Sequence, residues 1–146
     1  MKFTSTVIIN KPKEMVANYF ADPEYLAEYQ EGFQKKELVS GEAGKVNAIS
    51  NLFYASGKRK MMLTETILVN NLPDEFMAQY HHKFTDNTMK STFTSIDENQ
   101  TRYDAEIHYT AFRGFMVKLM VFLAPIFFKK QVDKWLLNFK TFLEKQ

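Results

Sequence analysis

The sequence predicts an α+β fold: a curved antiparallel sheet of about seven strands wrapped around a long C-terminal helix, with two short helices after the first strand. Three observations carry this. Between Phe33 and Phe112 apolar residues recur mostly at period two, in runs separated by short turn signals, as in strands joined by hairpins. From Gly114 to Gln146 the spacing switches to that of one long helix. Helices this few can cover only one face of so large a sheet, which favours α+β over an alternating α/β arrangement.

The elements follow in order. Lys2–Asn10 alternates and is rich in β-branched residues, so it reads as a strand. Pro12 suits a first helical turn, and Met15, Val16, Tyr19 and Phe20 form a helical apolar face. Asp22-Pro23-Glu24 reads as a second helix start, with Asp as N-cap, Pro at the first position and an acid in the first turn. Tyr25, Leu26 and Tyr29 would face inward from it. Strands are expected at about 33–40, 45–55, 58–69, 75–84, 88–96 and 101–112. Turn residues between them include Gly41 and Gly44, Ser56-Gly57, Asn70–Asp74, Asp86-Asn87 and Asp97–Asn99.

The long helix changes character halfway. Val132, Trp135, Leu136, Phe139, Phe142 and Leu143 make a one-sided stripe that packs one face. Phe115–Phe128 is apolar nearly all round and must be covered on more than one side. Pro125 has no N–H to donate, so it is expected to kink the helix or split it.

The length suits one domain, 1–146, with a sizeable core. A net charge of +2 and no basic stripe exclude the usual footprint of a nucleic-acid binder. Lys58-Arg59-Lys60 reads as a solvated strand end beside Gly57. The absence of cysteine excludes disulfides, thiolate zinc sites and thiol catalysis. The first ten residues lack a signal-peptide pattern, and the Phe115–Phe128 run is shorter than the roughly 20 residues a membrane span needs. A cytoplasmic protein is therefore expected. No GxSxG, P-loop, dinucleotide or HExxH signature occurs, so neither a cofactor nor a metal is implied.

Two stretches carry a resemblance. Val7-Ile-Ile-Asn-Lys-Pro-Lys-Glu-Met-Val-Ala-Asn-Tyr-Phe-Ala-Asp-Pro-Glu-Tyr-Leu26 runs from a strand through a Pro-containing turn and an amphipathic helix to Asp-Pro before a second helix. Lys129-Lys-Gln-Val-Asp-Lys-Trp-Leu-Leu-Asn-Phe-Lys-Thr-Phe-Leu-Glu144 forms the closing helix. Together they resemble the opening and the final Leu-Lys-x-x-Leu-Glu helix of the START-like superfamily, the polyketide cyclase/dehydrase and lipid-transport group, with Phe139 where Leu is usual. The resemblance covers essentially the whole chain and implies a single START-like domain of helix-grip fold. It also implies a deep apolar cavity between sheet and long helix. The family includes lipid carriers, hormone receptors, aromatase/cyclases, quinone-binding proteins and cochaperone-like modules. No catalytic motif runs through it, so catalytic residues stay unassigned.

Strand alternation suggests which side chains face such a cavity. The more apolar sets are Met61, Leu63, Glu65, Ile67 and Val69; Phe76, Ala78, Tyr80, His82 and Phe84; Met89, Ser91 and Phe93; and Tyr103, Ala105, Ile107, Tyr109 and Ala111. Gln79, His81 and Lys83, and Arg102, Asp104, Glu106 and His108, would face water. The candidate ligand-binding residues are Leu63, Glu65, Ile67, Ala78, Tyr80, His82, Ser91, Phe93, Tyr103, Ile107 and Tyr109 from the strands. Met116, Met120 and Leu123 join them from the adaptable, Met-rich side of the helix start.

Glu65 and His82 break the apolar rule. They are either a polar anchor or acid/base pair in a dry pocket, or a solvent-facing Glu at the mouth and a core His bonded to Tyr80 or Tyr109. His81 and His82 point to opposite faces and do not suit one metal; His108 reads as a surface residue. At the helix start, Phe115, Leu119, Phe122 and Ile126 would face the sheet, with Met116, Met120, Leu123 and Phe127 on a second side. That side would pack and line the cavity, form a homodimer interface in a protein otherwise monomeric, or touch a membrane surface weakly through flanking Lys118, Lys129 and Lys130. The function expected is binding or transport of an apolar small molecule: a lipid, isoprenoid or aromatic metabolite. The alternatives are a cyclase, dehydratase or isomerase using a pocket His or Glu, and a protein-interaction module.

Overall fold

The structure, a computed structural model, describes residues 1–146. Seven strands form one antiparallel sheet: β1 (Lys2–Ile9), β2 (Phe33–Ser40), β3 (Ile49–Ser56), β4 (Arg59–Asn71), β5 (Glu75–His81), β6 (Thr85–Asp97) and β7 (Gln100–Phe112). Their order is β1-β7-β6-β5-β4-β3-β2. Consecutive hairpins from β2 to β7 make a meander, and β1 completes the sheet by pairing with β7, Phe3 opposite Ile107 and Val7 opposite Tyr103. The β1–β2 connection crosses from one sheet edge to the other through α1 (Lys13–Ala21), a 3-10 turn at Pro23–Tyr25 and α2 (Leu26–Tyr29). Asp22 caps that turn as its spacing predicts, accepting from the Glu24 N–H at 2.9 Å.

The expected strand segments are all present, with shifted ends. Residues 45–48 belong to a turn, and β5 stops at His81. Within the long strands a β-bulge between Ile67 and Val69 changes the phase. Val69 therefore leaves the inward set, and Asn70 and Leu72 reach the cavity instead. Gly32 joins α2 to β2 at φ +82, and a Cβ there would stand 2.7 Å from the Ala55 carbonyl oxygen, so only glycine fits.

The C-terminal segment is split rather than merely kinked. Helix α3 (Phe115–Leu123) ends at Ala124 (φ −144, ψ 60), and α4 (Ile126–Glu144) begins after Pro125. The missing proline N–H removes the bond that would have continued the helix. Helix α4 lies on the sheet with Val132, Leu136, Phe139 and Leu143 buried. They meet Ile9, Val16, Tyr29, Phe93, Tyr103, Ala105 and Ile107 in the main core. Polar ties fasten α4 to β1 and the residue that follows it: Ser5 donates to the Asp133 carboxylate, and Glu144 accepts from the Asn10 N–H at 2.9 Å.

Candidate ligand-binding cavity

Between the sheet and α4 the fold encloses a cavity of about 550 Å³. That is within the ordinary range for small-molecule sites, roughly 300–1,000 Å³. Every strand from β2 to β7 contributes to its wall, and α4 closes it with Val132, Trp135, Leu136 and Phe139. Two thirds of the lining residues, 22 of 33, are apolar, so the space suits a mostly apolar guest.

Of the strand residues expected there, Leu63, Glu65, Ile67, Tyr80, His82, Ser91, Tyr103, Ile107 and Tyr109 line the wall. Ala78 and Phe93 do not. Ala78, flanked by Ile67 and Met89, is fully buried, and its methyl group does not reach the wall. Phe93 is absorbed by an aromatic cluster, 5.2 Å from Phe20 and 4.7 Å from Tyr103 between ring centres.

Met116, Met120 and Leu123 are corrections. None lines the cavity, and all three are exposed, because the break at Ala124–Pro125 turns α3 away from the sheet. Phe115, Leu119, Phe122 and Ile126 are likewise exposed instead of facing the sheet. Phe84 is a third departure. Beyond the end of β5 it lies in the β5–β6 turn, on the surface.

The polar feature of the wall is built across four strands. Glu65 on β4 is only 5% exposed and stands directly opposite Ser50 on β3 and Tyr80 on β5. The Tyr80 hydroxyl donates to Glu65 Oε2 at 2.9 Å. Lys36, on β2, brings its Nζ to 2.9 Å from Oε1, an ion pair whose angle gives no directed hydrogen bond. Oε1 is thus a buried acceptor with an unfilled direction. Burial, then the Glu65 charge, pushes the Tyr80 hydroxyl well above its ordinary value, and Tyr54 rises for the same two reasons. Both stay protonated donors at neutral pH; the Tyr54 hydroxyl is used on Gln30 at 2.7 Å. Further along the wall, Ser91 and Tyr103 share a buried hydrogen bond at 3.0 Å.

Of the sequence-based pictures of Glu65 and His82, the solvent-facing glutamate with a tyrosine-bonded histidine is corrected, whereas a buried polar group on the cavity wall is what Glu65 provides. Glu65 is buried, not solvent-facing, and His82 bonds neither Tyr80 nor Tyr109. His82 Nδ1 accepts from the Phe84 N–H at 3.2 Å, which leaves Nε2 as its donor. Burial and the nearby charges of Lys83, His81 and Arg113 lower its pKa, so the ring is neutral at pH 7. No hydrogen bond or ion pair joins His82 to Glu65. No three of the His, Asp and Glu side chains are grouped to hold a metal ion.

Sequence reasoning missed Lys36 and Leu38 on β2, and Leu52 and Tyr54 on β3. A bulge between Phe33 and Lys35 puts Phe33, Lys36 and Leu38 on one face, where strict alternation from Phe33 would select Lys35 and Glu37.

Solved structures superpose on nearly the full chain. A protein of Thermus thermophilus aligns with a TM-score of 0.76 at 18% identity, covering 98% of this chain and 97% of its own. The Zhui aromatase/cyclase from Streptomyces sp. R1128 aligns with a TM-score of 0.79 at 10% identity, covering 99% and 94%. The chain has the helix-grip fold. Ginseng major latex-like protein 151 from Panax ginseng shares it, with a TM-score of 0.73 at 15% identity over 97% of this chain and 95% of its own. The resemblance to the START-like superfamily thus holds at the level of the helix-grip fold. No family model and no curated relative matches the sequence. No helix is long and apolar enough to cross a membrane.

Proposed function

We propose that this helix-grip protein binds or carries a mostly apolar small molecule bearing one hydrogen-bond donor. The observation that carries this is Glu65 Oε1, a buried acceptor lacking a directed hydrogen bond on the wall of an apolar cavity of about 550 Å³. Apolar burial at about 25 cal/mol per Å² supplies affinity. A hydroxyl or N–H aimed at Oε1 supplies orientation, because a buried acceptor gains most from the bond it lacks. The apolar class covers a lipid, an isoprenoid or an aromatic metabolite.

The test is native mass spectrometry of protein purified without detergent, with organic extraction of whatever is bound. A stoichiometric apolar molecule supports the reading. Empty protein that also ignores a panel of hydrophobic fluorescent probes overturns it. An aromatase/cyclase among the structural neighbours raises a catalytic alternative, with neutral His82 as the pocket base. The separate partners of His82 and Glu65 favour carriage, since acid/base chemistry needs both groups converging on one reacting atom. Recovery of the extracted molecule unchanged after prolonged incubation with the protein separates the two.

A further inference from the structure

Helix α3 stands between two backbone breaks, Gly114 at φ +90 and Ala124. Val117 and Val121 are half-buried and turn toward the protein. Phe115, Met116, Phe122 and Leu123 occupy the other side and are between 68% and 82% exposed. Ile126 and Phe127, at the start of α4 just beyond the break, are exposed as well, and exposed Phe84 lies next to Gly114. So many large exposed apolar side chains within one short stretch of chain are unusual on a protein that meets only water.

Its charge is one-sided. From Ile107 to Val132 the sequence has no Asp or Glu. Asp86 holds Arg113 and Asp133 holds Lys129, whereas Lys118 and Lys130 make no ion pair. Lys83 lies over the Phe84 ring, 4.8 Å from its centre. By helical spacing Lys118 falls at the border of the exposed apolar face, where a lysine of an interfacial helix reaches the headgroups.

We propose that α3 is a peripheral docking element for an anionic membrane surface. Phe115, Met116, Phe122 and Leu123 enter the interface, while Lys83, Lys118 and Lys130 meet the phosphates. A second copy of the chain fits this surface less well. An isologous dimer would bring the same uncompensated lysines together with no carboxylate in the patch to pair them. The proposal stands apart from the cavity reading, because it needs neither a ligand nor Glu65.

The test is co-sedimentation with vesicles of phosphatidylcholine alone and of phosphatidylcholine with one quarter phosphatidylglycerol. The protein is expected to bind the anionic vesicles at low ionic strength and to be released by salt. Combined Phe115→Ser, Phe122→Ser and Leu123→Ser should weaken binding at least about tenfold. Lys118→Gln should weaken it about fivefold, a loss of ~1 kcal/mol for one cation. Leu137→Ser, which removes an exposed apolar side chain of α4 outside the patch, should leave binding unchanged. Circular dichroism checks that each variant keeps its fold. Failure of the wild-type protein to bind anionic vesicles, or undiminished binding by the triple variant, overturns the proposal. So does a dimer seen by light scattering that the triple substitution dissolves while vesicle binding is absent.

Discussion

Glu65 and Tyr80 stand directly opposite each other on β4 and β5, and the Tyr80 hydroxyl donates to Oε2 of the buried carboxylate at 2.9 Å. Lys36 approaches the other oxygen from β2. One cross-strand pair thus anchors a polar triad, an ion pair and a neutral hydroxyl, on a wall that is otherwise mostly apolar, and the first two predictions concern that wall.

The Lys36–Glu65 pair should be strongly coupled. Lys36→Met leaves the carboxylate buried without its counter-charge and is expected to destabilise the fold by roughly 1–3 kcal/mol. Glu65→Gln costs less, about 1 kcal/mol, because the Lys36 side chain is 25% exposed and can reach water. The double variant should return to within about 1 kcal/mol of the wild-type protein, since a buried ion pair replaced as a unit is close to neutral. Urea unfolding of the four proteins measures the cycle. Additive losses would show that the pair is energetically irrelevant.

The cavity wall should tolerate added volume that a filled core would not. Leu52 is buried, lies opposite Leu63 and Lys36, and lines the cavity. Leu52→Phe is expected to change stability by less than about 1 kcal/mol while lowering the affinity for a hydrophobic probe. In a close-packed core the same enlargement costs about 1–3 kcal/mol. Thermal unfolding and probe fluorescence, measured together, decide the point.

The sequence made some of this site visible and hid the rest for local reasons. On β7, Tyr103, Ala105 and Ile107 alternate strictly with Arg102, Asp104 and Glu106, so the inward face could be read directly, and the structure buries it. The stripe of α4 was equally plain, because one helical period persists from Val132 to Leu143. Lys36 and Asn70 were hidden by bulges, which reverse the phase of a strand without any marker residue. The path of α3 was hidden for a different reason. Pro125 announces a break, but composition does not say in which direction the freed segment leaves the sheet. Three of the fourteen expected ligand-binding residues, Met116, Met120 and Leu123, were displaced by that turn alone.

Acid should expose a clamp on the β5–β6 turn. Arg113 donates to both carboxylate oxygens of Asp86, at 2.8 and 2.9 Å, and to the carbonyls of Lys83 and His82. The Arg113 hydrogen bonds, aided by His81, hold the Asp86 carboxyl at about 2, below its ordinary 3.8. A carboxylate with a depressed folded-state pKa contributes stability that is present above pH 4 and lost as the pH falls toward 2. The contribution is about 1–2 kcal/mol once its partial solvent access is allowed for. Asp86→Asn should therefore be less stable at pH 6 and lose less on acidification, by that difference. Parallel stability curves from pH 6 to pH 2 would dismiss the clamp. Arg113→Lys should not rescue it, because an ammonium lacks the planar fork that grips both oxygens.

Base should reveal the charge of Glu65 through its neighbours. Burial raises the hydroxyls of Tyr29, Tyr54, Tyr80, Tyr103 and Tyr109 above the ordinary value of 10.0. For Tyr80 and Tyr54 the Glu65 charge is the second cause. Groups held protonated in the fold favour the folded state below pH 10, and that contribution disappears as the pH rises through their folded-state values. The tyrosinate absorbance of these side chains should thus appear together with loss of tertiary structure, not as independent titrations. In Glu65→Gln the like-charge repulsion against ionised Tyr80 and Tyr54 is gone, so part of that absorbance should move to lower pH. The near-ultraviolet circular dichroism recorded alongside shows whether the fold is still intact where it moves. A tyrosinate curve for Glu65→Gln that overlays the wild-type curve would remove the electrostatic link between the carboxylate and the two rings.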